Sequence, residues 1–217
     1  MSIRMLETLH SLFDRAETEQ AVVVLSALGK SFSGGFDLKL LSGGTAGDIY
    51  TMLKLGGELA VRILSFPMPV VAACHGSAYP MGAFLILSSD VRIAADGDYK
   101  IGMNEVAIGL TVPGFAIEVA RQRLIPAYFN RAIVTGQMFG PAEAVTAGFF
   151  DWMVPASELE SAATSAAEDL AKINLPAHTA SKLRARDRAI KAVRAAIDNE
   201  YSLAYAEEIV VRRTAAL

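Results

Sequence analysis

The 217 residues are 53% apolar, and Lys+Arg 20 against Asp+Glu 23 leave a formal charge of -3. Without a Lys/Arg-rich run, that balance argues against a nucleic-acid partner. The lone cysteine, Cys74, excludes an internal disulfide or a cysteine-based metal cluster and fits a reducing cytoplasm.

In chain order, Met5, Leu6, Leu9, Leu12 and Phe13 recur at helical spacing and predict a helix over about 3–17. This start is amphipathic and includes acids, which sets it apart from a signal or transit peptide. "AVVVLSA" (21–27) is a continuous β-branched run, as expected for a strand covered on both faces. "GKSFSGGFDLKLL" (29–41) is a glycine-rich turn, and 47–65 read as a second amphipathic helix. Residues 63–89 carry no Asp, Glu, Lys or Arg, but Pro67, Pro69, Gly76, Pro80 and Gly82 interrupt them. A membrane span needs an unbroken apolar helix, so the segment reads instead as a buried strand (69–76), a turn and a buried helix (79–89). "DVRIAA" (90–95) and "YKIG" (99–102) are short strands; helices follow at about 114–124 and 127–135, and "GFFDWMVP" (148–155) is a late short strand. Three helices are predicted after it, at about 157–173, 177–192 and 193–215. Strands alternate with helices up to 155 and a helical region fills 156–217, so the fold class is α/β with a helical extension. Mean hydropathy of +0.35 is high for a monomer, and part of the apolar surface is expected to be buried between subunits. Leu170, Ile173, Leu183, Ile190 and Val193 are the expected contacts.

Three segments hold candidate chemistry. "SFSGGFDL" (31–38) places two glycines after a strand, where backbone can approach a ligand and expose N–H groups; a plain strand-to-helix turn is the commoner use of such a motif. It has neither the lysine of a P-loop nor the G-x-G-x-x-G pattern. "HGSAYPMGAFL" (75–85) leads into a buried helix whose first N–H groups stabilise negative charge. Glu105 is a single carboxylate among Ile101, Met103, Val106, Ala107, Ile108 and Leu110. Burial there is unfavourable unless the acid is paired, protonated or used. The histidines His10, His75 and His178 show no metal-ligand spacing.

Taken in order and spacing, "FSGGFDL", "PVVAACHGSAYPMG" and "DVRIAADGDYKIGMNEVAIGL" resemble the crotonase family, the enoyl-CoA hydratases and isomerases. The resemblance covers about 1–155 and continues weakly through "GPAEAVTAGFFDWMVP" and the tail. It implies a crotonase-like spiral of ββα units in 1–155 and a C-terminal helical region, 156–217, used for trimerisation. It also implies an acyl-CoA thioester as ligand, coenzyme A arriving on the substrate with no separate cofactor, and a homotrimer or dimer of trimers. The thioester carbonyl would lie between the backbone N–H groups of Phe36 and Met81, with Lys30, Phe32, Ser33, Gly35, Asp37 and Phe84 around the substrate. The family's N-terminal hairpin and strand have no counterpart before the first helix, so the main-chain groups of Lys30 to Phe32 are left to meet the adenine.

Family hydratases resemble one another in having two glutamates. Glu105 matches the second position and Phe84 the first, where an aromatic ring cannot activate water. Isomerisation of a 3-enoyl-CoA to a 2-enoyl-CoA needs one acid/base, and "IGMNEVAIGLTVP" is similar to the mitochondrial-type isomerases, which carry a like glutamate. Isomerisation is therefore the favoured expectation; hydration, or acyl-CoA binding without turnover, are the alternatives.

Other residues read as structural. Asp37 suits a helix cap, His75 a turn and Cys74 a small core position. Glu118 and Gln122 suit an exposed i,i+4 pair, and Asp151 and Trp152 packing in the late strand. Tyr201 and Tyr205, one helical turn apart, suit a subunit contact or the acyl pocket.

Overall fold

The computed structural model describes residues 1–215. The elements are α1 (Ile3–Thr18), β1 (Val23–Leu25), β2 (Ser31–Ser33), α2 (Leu38–Gly43), α3 (Ala46–Ser65), β3 (Val70–Cys74), β4 (Ser77–Ala78), α4 (Pro80–Ser88), β5 (Val91–Ala95) and β6 (Ile101–Gly102). They continue with α5 (Gly114–Arg121), α6 (Pro126–Ile133), β7 (Met138–Phe139), α7 (Pro141–Ala147), β8 (Trp152–Val154), α8 (Leu159–Ala171), α9 (Leu175–Glu200) and α10 (Leu203–Ala215).

Two four-stranded sheets form, in the orders β1-β3-β5-β8 and β2-β4-β6-β7. Each of the first three windings gives one strand to the large sheet and the next to the small one. The large sheet is parallel throughout, with Val23 opposite Val70, Val71 opposite Val91 and Ile93 opposite Trp152. Alternate side chains of β3 and β5 part to opposite faces, as the two-residue strand period requires. Val70, Ala72, Cys74 and Ala94 enter the main core beneath α3 and α4. Val71, Ala73, Ile93 and Ala95 meet Leu159 and Ala163 of α8. This α/β architecture with its C-terminal helices agrees with the fold class read from the sequence.

The structure departs from that reading at β1 and in the tail, and it adds β2, α2, β4, β7 and α7, for which the reading has no element. β1 is an edge strand of three residues, and Val24 stands 41% exposed, so the run 21–27 is not covered on both faces. The tail does not break at 192/193. With neither glycine nor proline between 177 and 202, α9 runs on to Glu200, and the turn comes at buried Tyr201. Val193 lies in the core with no exposure, and Ile190 packs partly buried against it, so neither is a free subunit contact; Ile173 and Leu183 are exposed.

The helical region is tied down by buried charge. Asp90, just before β5, accepts from Lys182 at 2.7 Å and pairs with Arg186 at 2.9 Å, both on α9, while also capping Val70 N at 2.7 Å. Arg186 and Arg123 donate to the Ser89 carbonyl at the end of α4. Asp151 precedes β8 and serves an ion pair with buried Arg92, whose N–H it also accepts at 2.8 Å, rather than packing alone.

Candidate active site

Three neighbouring strands of the small sheet, β2, β4 and β6, run parallel, so their carboxyl ends open onto one edge. Loops leaving such an edge are where parallel α/β folds place ligands. Phe36, Met81 and Glu105 each lie three residues beyond the end of one of these strands.

The first loop is held from both sides. Tyr79 N donates to the Ser33 carbonyl at 2.9 Å, and Ser33 Oγ accepts from Gly35 N at 3.1 Å. Gly35 has φ +85°, a left-handed conformation that glycine adopts without a Cβ penalty. The Met1 nitrogen donates to the Gly35 carbonyl, and Asp37 N donates to Met1 O at 3.0 Å. Asp37 Oδ1 caps α2 through Lys39 N and Leu40 N, at 2.9 and 3.4 Å. Between these tethers the Phe36 N–H has no acceptor among the described residues.

Met81 is the second residue of α4, behind Pro80, and Tyr79 supplies no side-chain cap. First-turn N–H groups have no intrahelical carbonyl to bond, and the helix dipole makes that end electropositive. The two donor residues meet at α3: a Cβ on Gly56 would stand 2.5 Å from two Phe36 ring carbons and 3.2 Å from Met81 Sδ. A glycine inside a helical pattern is the signal that locates this contact in the sequence.

Glu105 opens a single 3-10 turn, Val106–Ile108, closed by Gly109 at φ +77°. Its carbonyl accepts from Ile108 N at 3.0 Å and Leu110 N at 2.8 Å. The side chain is 6% exposed, and Oε2 has no hydrogen-bond partner. Burial pushes its pKa up to about 7, only partly offset by its own backbone N–H. The group is therefore protonated below neutrality and a competent base just above it.

Phe84, 1% exposed, packs edge-on to Phe115 at 5.3 Å, and Phe115 edge-on to Tyr201 at 5.8 Å. The remaining candidates fall at the rim or in support. Lys30 is exposed; Phe32 is buried, with its ring beside Gly82, and Ser33 braces the donor loop. His75 Nε2 bonds the Gly29 carbonyl at 2.9 Å. Cys74 donates to the Gly76 carbonyl, and burial pushes its thiol up to about 12, which removes it as a nucleophile. Glu118 pairs with Arg121 and Gln122 donates to the Leu87 carbonyl, so the expected pair between them does not form. Glu200, which the sequence did not single out, accepts from Gly114 N at 2.6 Å and ties the end of the Glu105 loop to α9.

Two backbone N–H groups at a parallel sheet edge and one buried, unpartnered carboxyl make a site able to stabilise an anion and to move a proton beside it. The family model described as enoyl-CoA hydratase/isomerase matches residues 1–208, and the chain belongs to that family, the crotonases. The chain is 36% identical over 156 residues to a probable enoyl-CoA hydratase of Bacillus subtilis, covering 68% of this chain and 58% of that one. It thus spans little more than half the length of that curated relative. The solved enoyl-CoA hydratase EchA3 of Mycobacterium ulcerans is similar at 43% identity and TM-score 0.88, over 91% of this chain and 87% of that one. The apo Mtb enoyl-CoA isomerase is similar at 40% identity and TM-score 0.87, over 91% and 86%. Among the described residues no group of His, Cys, Asp and Glu is placed to hold a metal, and no helix is long and apolar enough to cross a membrane.

Proposed function

We propose that the protein isomerises 3-enoyl-CoA thioesters to 2-enoyl-CoA in the cytoplasm, with no cofactor beyond the coenzyme A of its substrate. Glu105 takes a proton from C2 as the C–H electrons move into the dienolate, whose oxygen lies between Phe36 N and Met81 N. The same carboxyl returns the proton to C4, leaving the double bond between C2 and C3. Preorganised donors of this kind each contribute about 3–4 kcal/mol to the transition state. Lys30 to Phe32, Ser33, Gly35 and Asp37 frame the thioester arm. The observation that carries the reading is one buried carboxyl, Glu105, with an unpartnered oxygen. Phe84 matches the position where family hydratases carry the first of their two glutamates, and an apolar side chain there keeps water from C3.

Similarity to hydratases supports a second reading, hydration of 2-enoyl-CoA by Glu105 alone. Absorbance of the conjugated product from 3-enoyl-CoA, with calorimetric binding of a thioester alongside, separates the two. Glu105→Gln should lower isomerase turnover at least about 10²-fold while leaving thioester affinity nearly unchanged, because the oxyanion donors are backbone groups. Turnover that survives this change removes Glu105 as the base. Wild-type hydration of 2-enoyl-CoA without isomerisation installs the second reading, and binding without either reaction makes the chain an acyl-CoA-binding protein.

A further inference from the structure

Four buried side-chain polar atoms among the described residues have no hydrogen-bond partner: Glu105 Oε2, Tyr201 OH, Arg123 Nε and His178 Nε2. The two nitrogens belong with the charges around Asp90 and Arg186. Glu105 is the candidate base; Tyr201, which feels its charge, packs on Phe115 and opposite Gly57, next to the Gly56 that faces Phe36 and Met81, and the chemistry of the two oxygens is complementary. An ionised carboxylate only accepts hydrogen bonds, whereas a phenol can donate one. An unpaired buried hydroxyl is unfavourable, and phenylalanine would fill the same space without it.

Tyr201 is held firmly. Its N–H bonds the Ile197 carbonyl at 2.9 Å, its ring packs edge-on to Phe115, and its Cε2 lies 3.4 Å from where a Cβ on Gly57 would stand. The residue before it, Glu200, bonds Gly114 N at the far end of the Glu105 loop, so the loop and the phenol are anchored at one point. The titratable groups that face Tyr201 are Glu200 on its own helix, Tyr205 on α10 and Glu105. Burial first, and then these acids, hold the phenol well above its ordinary pKa. Where Glu105 titrates, Tyr201 is therefore neutral and offers a hydrogen bond, not a charge.

We propose that the Tyr201 hydroxyl is the positioning donor for the ionised Glu105 carboxylate, holding it for attack on C2 and releasing it when the carboxyl takes up the proton. The catalytic consequence rests on Glu105 being the base of the proposed isomerisation; the hydrogen bond itself does not. A donor to the charged form lowers a carboxyl pKa. Tyr201→Phe should therefore raise the Glu105 midpoint by about one pH unit. The full chain with ¹³C-carboxyl glutamate reports this directly, Glu105→Gln identifying the resonance.

Fluorotyrosine at 201, a stronger donor of nearly equal size, should move the midpoint the other way. This second substitution decides the matter if Tyr201→Phe does not fold. A merely structural tyrosine would not produce opposite shifts. The acid limb of kcat/KM for a 3-enoyl-CoA should follow both shifts. A midpoint unmoved in a folded Tyr201→Phe chain, or moved in the same direction by both substitutions, overturns the proposal. If the midpoints shift as expected but no 3-enoyl-CoA is isomerised, the hydrogen bond stands and the isomerase reading falls. Normal turnover with unmoved midpoints overturns the Tyr201 role alone.

Discussion

Glu105 couples the candidate chemistry to stability. Its pKa rises from 4.5 to about 7 on burial. Between those values the folded chain holds a proton that the unfolded chain has released. Stability is therefore undiminished below pH 4.5, falls as pH rises through 7, and is lowest above it. At about 1.4 kcal/mol per unit the loss approaches ~3 kcal/mol. Glu105→Gln removes this term, so the variant should exceed the wild type by up to ~3 kcal/mol at pH 8 and match it near pH 4. Urea denaturation at both pH values checks this; an equal difference at the two would mean that the carboxyl is not desolvated. The predicted activity loss and the predicted stability gain belong to one residue, as expected where a site is kept unfavourable for its work.

At the scale of elements, α3 carries the site on the glycine pair Gly56–Gly57. The two positions make opposite predictions. Alanine at 56 would press on Phe36 ring carbons at 2.5 Å and shift the donor loop. A displacement of 1 Å at a catalytic group typically costs about 10²-fold, so Gly56→Ala should lose about that in turnover. Alanine at 57 would meet the flexible end of Ile197 at 3.0 Å, which can yield, and should keep turnover within a few-fold of wild type. Product absorbance from the two folded variants makes the comparison, and similar losses would remove the contact with Phe36 as the cause.

What the sequence made legible at this scale follows the same physics. α1, α3 and α4 were readable because Leu6 and Phe13, the apolar stripe of 49–64 and the uncharged run after Pro80 each answer to one partner surface. Glu105 stood out because a lone acid in an apolar run demands an account. The edge position of β1 was not readable: β-branched residues look alike in an edge strand and a central one. The small sheet, with strands of two and three residues, is set by its neighbours and leaves little local pattern. The length of α9 is not legible in the sequence because its end is made by burial of Tyr201, not by a breaker. Glu200 and Asp90 give no sign, since Gly114 and Lys182, which they bind, lie 86 and 92 residues away.

On the scale of the whole molecule, exposed Val106, Ile108 and Leu110 beside the Glu105 turn join Ile173 and Leu183 as apolar surface. We propose a homotrimer or dimer of trimers, and light scattering at micromolar concentration should show one; a monomer would overturn this. The second whole-molecule prediction concerns Asp90. Asp90→Asn would leave Lys182 and Arg186 buried without their carboxylate, a change that typically costs about 3–5 kcal/mol. Denaturant unfolding should register it, and a loss below 1 kcal/mol would mean that water already screens the cluster. The same ion pairs set a timetable for synthesis. Asp90 waits 92 residues for Lys182, and at about 5–20 residues per second a ribosome takes roughly 5–20 seconds to make that stretch. Throughout that interval the nascent chain holds an acid whose buried cationic partners are not yet made. A ribosome-bound chain stopped before Lys182 is thus a natural client for a chaperone.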